Sequence, residues 1–202
     1  MGNCFTTKLR FPRDNIHVLN EGKGPTAKEV LGTITLLKKS GRIGPKDIFV
    51  CYYSGHGMVG ENNTFKFCTQ SEHLSADAMC KAVADLGVKR VVFLIDACEA
   101  AGFSGNQIFS RLARDSKIAV LAASTAFKNT SGDSTFSKLF ARACQSLLRD
   151  KQLCLNHAQV YATMMMLDLK ATSNMGIYGT PFKFAPLDKV NLRHRSHMRL
   201  HT

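Results

Sequence analysis

Two apolar runs, each ending on a turn of small residues that carries a reactive side chain, constrain this chain more than any other feature. The first, Asp47 to Ser54, reads DIFVCYYS and runs into Gly55-His56-Gly57. The second, Arg90 to Asp96, reads RVVFLID and runs into Ala97-Cys98-Glu99-Ala100-Ala101-Gly102. Runs this rich in β-branched, aromatic and aliphatic residues predict strands buried on both faces, as in a parallel sheet. In such sheets functional groups collect beyond the carboxyl ends of the strands. Glycines on both sides of His56 allow a sharp turn and a close approach of a second backbone or a ligand.

The rest of the chain supplies the remaining parts of an α/β fold. KIAVLAA (Lys117 to Ala123) and IHVL (Ile16 to Leu19) predict two more strands, and the alternating TFKFCT (Thr64 to Thr69) a short extra one. Thr26, with Glu29 three residues on, has the form of a capping box. It opens a helix in which Val30, Ile34 and Leu37 recur at helical spacing, and Gly41 to Pro45 ends it with breakers. Ser75 to Leu86 lines one face with Ala78, Met79, Ala82, Val83 and Leu86, and Phe136 to Leu148 and His157 to Leu169 also read as helices. Strands separated by helices of this length imply βαβ units and a mostly parallel sheet.

Composition excludes several classes. The 202 residues are 45% hydrophobic, enough for one domain with a buried core. No apolar run approaches the roughly 20 residues that span a bilayer, and no signal-peptide stretch opens the chain. The seven cysteines are odd in number and form no CxxC pair, which implies free thiols in a reducing, cytoplasmic compartment. Cys51, Cys68, Cys80 and Cys144 fall inside predicted strands or helices and read as small structural hydrophobes.

Much of the net charge of +12 sits at the two ends. Lys189, Arg193, Arg195 and Arg199, with His194, His197 and His201, make residues 189–202 a basic stretch without an acid, expected to be a solvated, disordered tail. No aromatic interleaves it to stack on bases, so nucleic acid is not an expected partner. Its end, HMRLHT, has the histidines of a zinc finger without the cysteines. A structural zinc needs four ligands, so no metal site is assigned. Met1-Gly2-Asn3-Cys4-Phe5-Thr6 fits the pattern for myristoylation at Gly2. Cys4 is a candidate for a second acyl group and Lys8 and Arg10 for attraction to anionic lipid, which together would bring the chain to a membrane surface.

Cys98 and His56 are complementary as chemistry. The thiolate is the nucleophilic form of cysteine, and a nearby imidazole favours it or handles its proton. Acyl transfer also needs donors for an oxyanion, often backbone N–H groups in a tight turn. Either residue alone reads most simply as a satisfied histidine or a buried thiol. Together, each at the end of an apolar strand among small residues, they point to nucleophilic catalysis.

YYSGHG (Tyr52 to Gly57) followed by FLIDACEAAG (Phe93 to Gly102) resembles the paired signatures of the caspase, metacaspase and paracaspase superfamily. The likeness extends over about Phe11 to Leu148, including AASTAFKNTSGDSTFSKLF. It implies a three-layer α/β sandwich with a mostly parallel central sheet and helices on both faces. It implies a cysteine endopeptidase with Cys98 as nucleophile, His56 as acid and base, and the N–H groups of Gly57 and Cys98 as oxyanion donors. Asp96 would orient the turn. No metal takes part in bond cleavage, although some metacaspases are activated by calcium. Substrate-pocket candidates are Ser124, Lys128 and Asp133. In metacaspases acids after the third strand favour Arg or Lys in the substrate; here Phe127 and Lys128 stand there and Asp133 is the one acid nearby, so the sequence leaves the substrate preference open.

The resemblance also implies a central strand and a helix ahead of Phe11–Leu19, for which the chain has no room. Residues 1–10 are then an N-terminal segment, 11–188 a catalytic domain lacking its first strand, and 189–202 the tail. The partners implied are a protein or peptide substrate and a second copy or regulatory chain. Two other readings stand beside the peptidase: a catalytically inactive caspase-like interaction module, and a peptidase of the legumain or GPI-transamidase type.

Overall fold

The computed structural model describes residues 4–9, 11–19, 24–70, 72–105, 107–124, 135–149, 154–186 and 195–201. In chain order the strands are β1 (Ile16–Leu19), β2 (Ile48–Ser54), β3 (Gly57–Val59), β4 (Phe65–Cys68), β5 (His73–Ser75), β6 (Arg90–Asp96), β7 (Lys117–Ala122), β8 (Cys154–Asn156), β9 (Gly176–Gly179), β10 (Lys183–Pro186) and β11 (Arg195–His201). The helices are α1 (Ala27–Lys39), α2 (Ala76–Asp85), α3 (Gln107–Asp115), α4 (Thr135–Arg149), α5 (His157–Leu167) and the short α6 (Leu169–Thr172). A π-helical turn, Cys4–Lys8, precedes them.

The central sheet has the order β1-β11-β2-β6-β7-β9. All its pairings are parallel except that of β9, which runs antiparallel to β7. Alternation along each strand sends side chains to two separate cores. Phe49, Cys51 and Tyr53 of β2 and Val91, Phe93 and Ile95 of β6 meet Val30 and Ile34 of α1, Met79 and Val83 of α2, and Phe109 of α3. Ile48, Val50 and Tyr52 of β2 and Val92 and Leu94 of β6 meet Phe136 and Phe140 of α4 and Val160 and Met164 of α5. This is the expected three-layer sandwich, and it explains why β2 and β6 read as unbroken apolar runs.

The helix starts follow the sequence signals. Thr26 caps α1: its Oγ1 accepts from the Glu29 N–H while Glu29 Oε2 accepts from the Thr26 N–H at 2.7 Å, closing the capping box. Asn156 and Gln159 form a second box at α5. Helix α3 lies where the sequence reading placed none.

Both chain ends depart from expectation. Cys4, Phe5 and Leu9 are buried in the α4/α5 core, so the N-terminal segment is part of the domain. Phe5 packs edge-on against Phe11, centroids 5.7 Å apart, and tilts against Phe140 at 6.4 Å. Residues 195–201, expected within a disordered tail, are strand β11. It pairs in parallel with β1 on one side (Ile16↔His197 to Leu19↔Leu200) and with β2 on the other (Ile48↔Arg195 to Ser54↔His201). The sheet is therefore not left with two unpaired strands. Backbone N–H and C=O groups need partners whatever their side chains, and β11 supplies them to both neighbours.

Candidate active site

The ends of β2 and β6 lie side by side, because the two strands pair in register from Ile48↔Arg90 to Ser54↔Asp96. The Gly55 N–H continues the contact by donating to the Asp96 carbonyl at 3.1 Å. His56 follows as an exposed residue, and Cys98, two residues past β6, is partly exposed. Both blocks thus open on the same rim of the sheet.

Gly57 shows how closely they approach. A Cβ at this position would lie 2.8 Å from the Cys98 carbonyl oxygen and 2.5 Å from Phe65 Cζ. Real Cβ atoms do not come so near backbone, so only glycine lets the histidine turn sit against the cysteine turn. Gly102 has the same role one layer away, where a Cβ would meet Val59 Cγ2 at 2.6 Å.

Glu99 is the hinge of the cysteine loop. Its φ of 54° is in the left-handed region, and its carbonyl accepts from the Gly102 N–H at 2.9 Å. That conformation costs a non-glycine residue about 1–2 kcal/mol. Its Oε2 accepts from the Val59 N–H at 2.5 Å, and a hydrogen bond to a charged group contributes about 1.5–3 kcal/mol. The bond offsets the cost and straps the loop after Cys98 to the strand after His56.

Two further anchors hold the turns from below. Asp96 Oδ2 accepts from the Ser137 hydroxyl at 2.5 Å, and Ser137 Oγ shares a second hydrogen bond with the Tyr52 hydroxyl, also 2.5 Å. Asp96 is thus tied to α4 and, through Ser137, to Tyr52 of β2. Tyr53 donates to the carbonyls of His56 (2.5 Å) and Cys68 (3.0 Å), and the Cys68 N–H donates to the His56 carbonyl at 3.0 Å. Tyr53 and β4 therefore fix the histidine backbone.

Ser124 is placed differently from expectation. It is fully buried; its hydroxyl donates to the Ala97 carbonyl at 3.0 Å and accepts from the Ala100 N–H at 3.1 Å, and its own carbonyl accepts from Ala101 N–H at 3.1 Å. It braces the Cys98 loop from behind and does not face a substrate. Lys128 and Asp133 lie outside the described residues, as does Gly2. Cys4 is buried, and a side-chain hydrogen bond with Cys4 is one cause that lifts the Cys144 thiol pKa, after burial. The folded chain therefore does not present Cys4 for acylation.

Sequence reasoning missed Glu99, Ser137 and Tyr53, whose roles depend on contacts across the fold. It also read Cys68 as structural. Cys68 is partly exposed, whereas Cys4, Cys51, Cys80 and Cys144 are buried. Burial raises the Cys68 pKa, and the charge of Cys98 raises it further. By contrast, burial pushes the Cys51 thiol up to about 12. Among the described residues no group of three or more His, Cys, Asp or Glu gathers to hold a metal ion, and no helix is long and apolar enough to cross a membrane.

The caspase-domain family matches residues 1–175. The chain belongs to the caspase-domain family. The fold is accordingly that of a caspase-like cysteine peptidase, and the family match spans both the His56 and the Cys98 blocks. No curated protein sequence matches the chain. Among solved structures it is similar to a crystal structure of a Geobacter sulfurreducens protein, at 13% identity and a TM-score of 0.47, over 81% of this chain and 76% of that one.

Proposed function

We propose that this caspase-domain protein is a cysteine endopeptidase in which Cys98 and His56 form the catalytic dyad. The observation that carries the reading is the contact of the two turns at Gly57, which sets the histidine block against the Cys98 backbone. The Cys98 thiolate attacks the scissile carbonyl, forming the C–S bond and a tetrahedral oxyanion. The N–H groups of Gly57 and Cys98 are the proposed donors to that oxygen, as preorganised backbone dipoles that need no rearrangement during reaction. The intermediate collapses as the C–N bond breaks, and His56 gives a proton to the leaving amine. Water, deprotonated by His56, then hydrolyses the thioester and frees Cys98.

Asp96, Glu99 and Ser124 act in this reading as positioning residues, through the loop that carries the nucleophile. Acids for an Arg or Lys side chain are absent from the place where metacaspases carry them, so the preference is left to a panel of probes with Arg, Lys, Asn or Asp beside the warhead. Labelling of Cys98 by an electrophilic peptide probe tests the dyad. We expect labelling of the wild type, none of Cys98→Ala, and a fall in hydrolysis of roughly four to six orders of magnitude for either dyad variant. Well-folded wild type that takes no Cys98-dependent label would leave an inactive caspase-like interaction module in its place.

A further inference from the structure

Two cysteines outside any disulfide, Cys68 and Cys98, are partly exposed, and both lie against the same dipeptide. The Cys68 N–H donates to the His56 carbonyl at 3.0 Å, and the next residue, Gly57, touches the Cys98 carbonyl, 2.8 Å from where a Cβ would stand. Tyr53 clamps the arrangement by donating to the carbonyls of both His56 and Cys68. We infer that Cys68 is a resolving thiol for Cys98, and that peroxide closes a reversible Cys68–Cys98 disulfide across the site. The inference rests on the peptidase reading to the extent that Cys98 is the reactive thiolate.

The chemistry balances in two steps. The Cys98 thiolate attacks the peroxide: an S–O bond forms, the O–O bond breaks, and hydroxide leaves and is protonated to water. Cys98 is now a sulfenic acid. The Cys68 thiolate attacks that sulfur: the S–S bond forms, the S–O bond breaks, and the second oxygen leaves as hydroxide and becomes water with a proton from His56 or solvent. The two cysteines together lose two electrons, and one peroxide is reduced to two waters. Sulfenic acids condense with neighbouring thiols in this way, and without one they proceed to sulfinic acid, which is not reduced by thiols.

A charged Cys98 adds to burial in holding the Cys68 thiol protonated. Conversion of Cys98 to a neutral sulfenic acid removes that repulsion and leaves burial as the remaining cause that raises the Cys68 thiol. A disulfide sets Cα atoms about 4.4–6.8 Å apart, and the shared contact with His56-Gly57 holds both cysteines to one short stretch of backbone. The bridge would join the end of β4 to the loop after β6 and remove the nucleophile.

The test treats the full chain with hydrogen peroxide, alkylates the remaining thiols, and maps peptides without reduction. We expect a Cys68–Cys98 linked peptide lighter by two hydrogens than its parts, and complete recovery of the Cys98 thiol with dithiothreitol. In Cys68→Ser the linked peptide is lost, Cys98 advances to sulfinic acid, and dithiothreitol no longer restores it. Cys98 advancing to sulfinic acid equally fast in both proteins, or a bridge to another cysteine in the wild type, overturns the inference. Mapping of the wild type decides this even if the variant folds poorly. Probe labelling of the reduced chain separates the two readings. A linked peptide without probe labelling supports the switch while sinking the peptidase; a labelled chain that never forms the bridge does the reverse.

Discussion

Strands β2 and β11 stand next to each other in the middle of the same sheet, and almost nothing else about them is alike. Strand β2 reads IFVCYYS and is buried from Ile48 to Tyr53. Strand β11 reads RSHMRLH, a sequence that would be taken for a surface segment anywhere. The first is held from four directions, by its ladders to β6 and β11 and by apolar cores on both faces. The second has ladders on both edges and little apolar sequence to bury. The difference separates two ways of occupying a central position. One is dominated by the hydrophobic effect, about 1.5–3 kcal/mol for each large apolar side chain fully buried. The other is dominated by the backbone's need for partners. The candidate dyad stands on the first kind of strand, since both blocks follow from β2 and β6.

The largest effect expected from this contrast is in β6. Phe93 is fully buried and packs at a tilt against Phe103 with centroids 4.5 Å apart. Phe93→Ala should cost about 3–5 kcal/mol, read as a fall in the urea midpoint. A chain ending at residue 194, without β11, should lose less than that. Its amide exchange should rise in Ile16–Leu19 and along the edge of β2 that β11 covered, while β6 and β7 keep their protection. Equal losses in the two proteins would break the comparison, because β11 would then support the core as strongly as β6 does.

These physical differences also decided what could be read in advance. The runs of β2, β6 and β7 announce themselves because both faces are buried and no polar residue interrupts them. The Thr26–Glu29 box marked the start of α1 because its chemistry is local. Strand β11 has no such signal: alternating Arg and His in a basic stretch carries the composition of a tail. Strands β3 and β5 are three residues long, too short for a pattern. At the site, the dyad candidates were legible because small residues flank them. Ser124 reads as a pocket residue in sequence, since nothing in AASTAF tells that its hydroxyl is enclosed between Ala97 and Ala100. Cys4 fits an acylation pattern in sequence and a hydrophobic core in space.

The Ser124 placement yields a middle-sized effect that sharpens the contrast from the side of the site. Ser124→Ala strips a partner from the Ala100 N–H and from the Ala97 carbonyl, where unsatisfied groups cost about 1–3 kcal/mol. The loss should appear in stability and, more sharply, as slower probe labelling of Cys98, because the loop that carries the thiol is loosened. Ser124→Thr, which keeps the hydroxyl, should recover part of the labelling rate. A labelling rate that does not move with Ser124→Ala would show that the loop is positioned by Glu99 and the β3 strap alone.

The smallest effect is a pH dependence that weighs one half of the sheet against the other. His157, at the start of α5, is buried and its Nδ1 has no partner among the described residues. Burial lowers its pKa from 6.5, opposed by a hydrogen bond to the Tyr178 backbone. His17, half-buried on β1, is also lowered from 6.5, by burial and then by the charge of Arg42. In both cases the unfolded chain takes up a proton at a higher pH than the folded one. Stability is therefore complete above about pH 6.5 and declines as the pH falls toward the lowered folded values. Solvent screens His17, at the weak edge, more than it screens His157, so His157 should carry more of the acid-side decline. Urea midpoints between pH 7.5 and 5 should flatten more in His157→Phe than in His17→Phe. The reverse order would mean that the β1–β11 edge is drier and tighter than its sequence suggests, and that a ladder on both sides can seal a strand nearly as well as a core does.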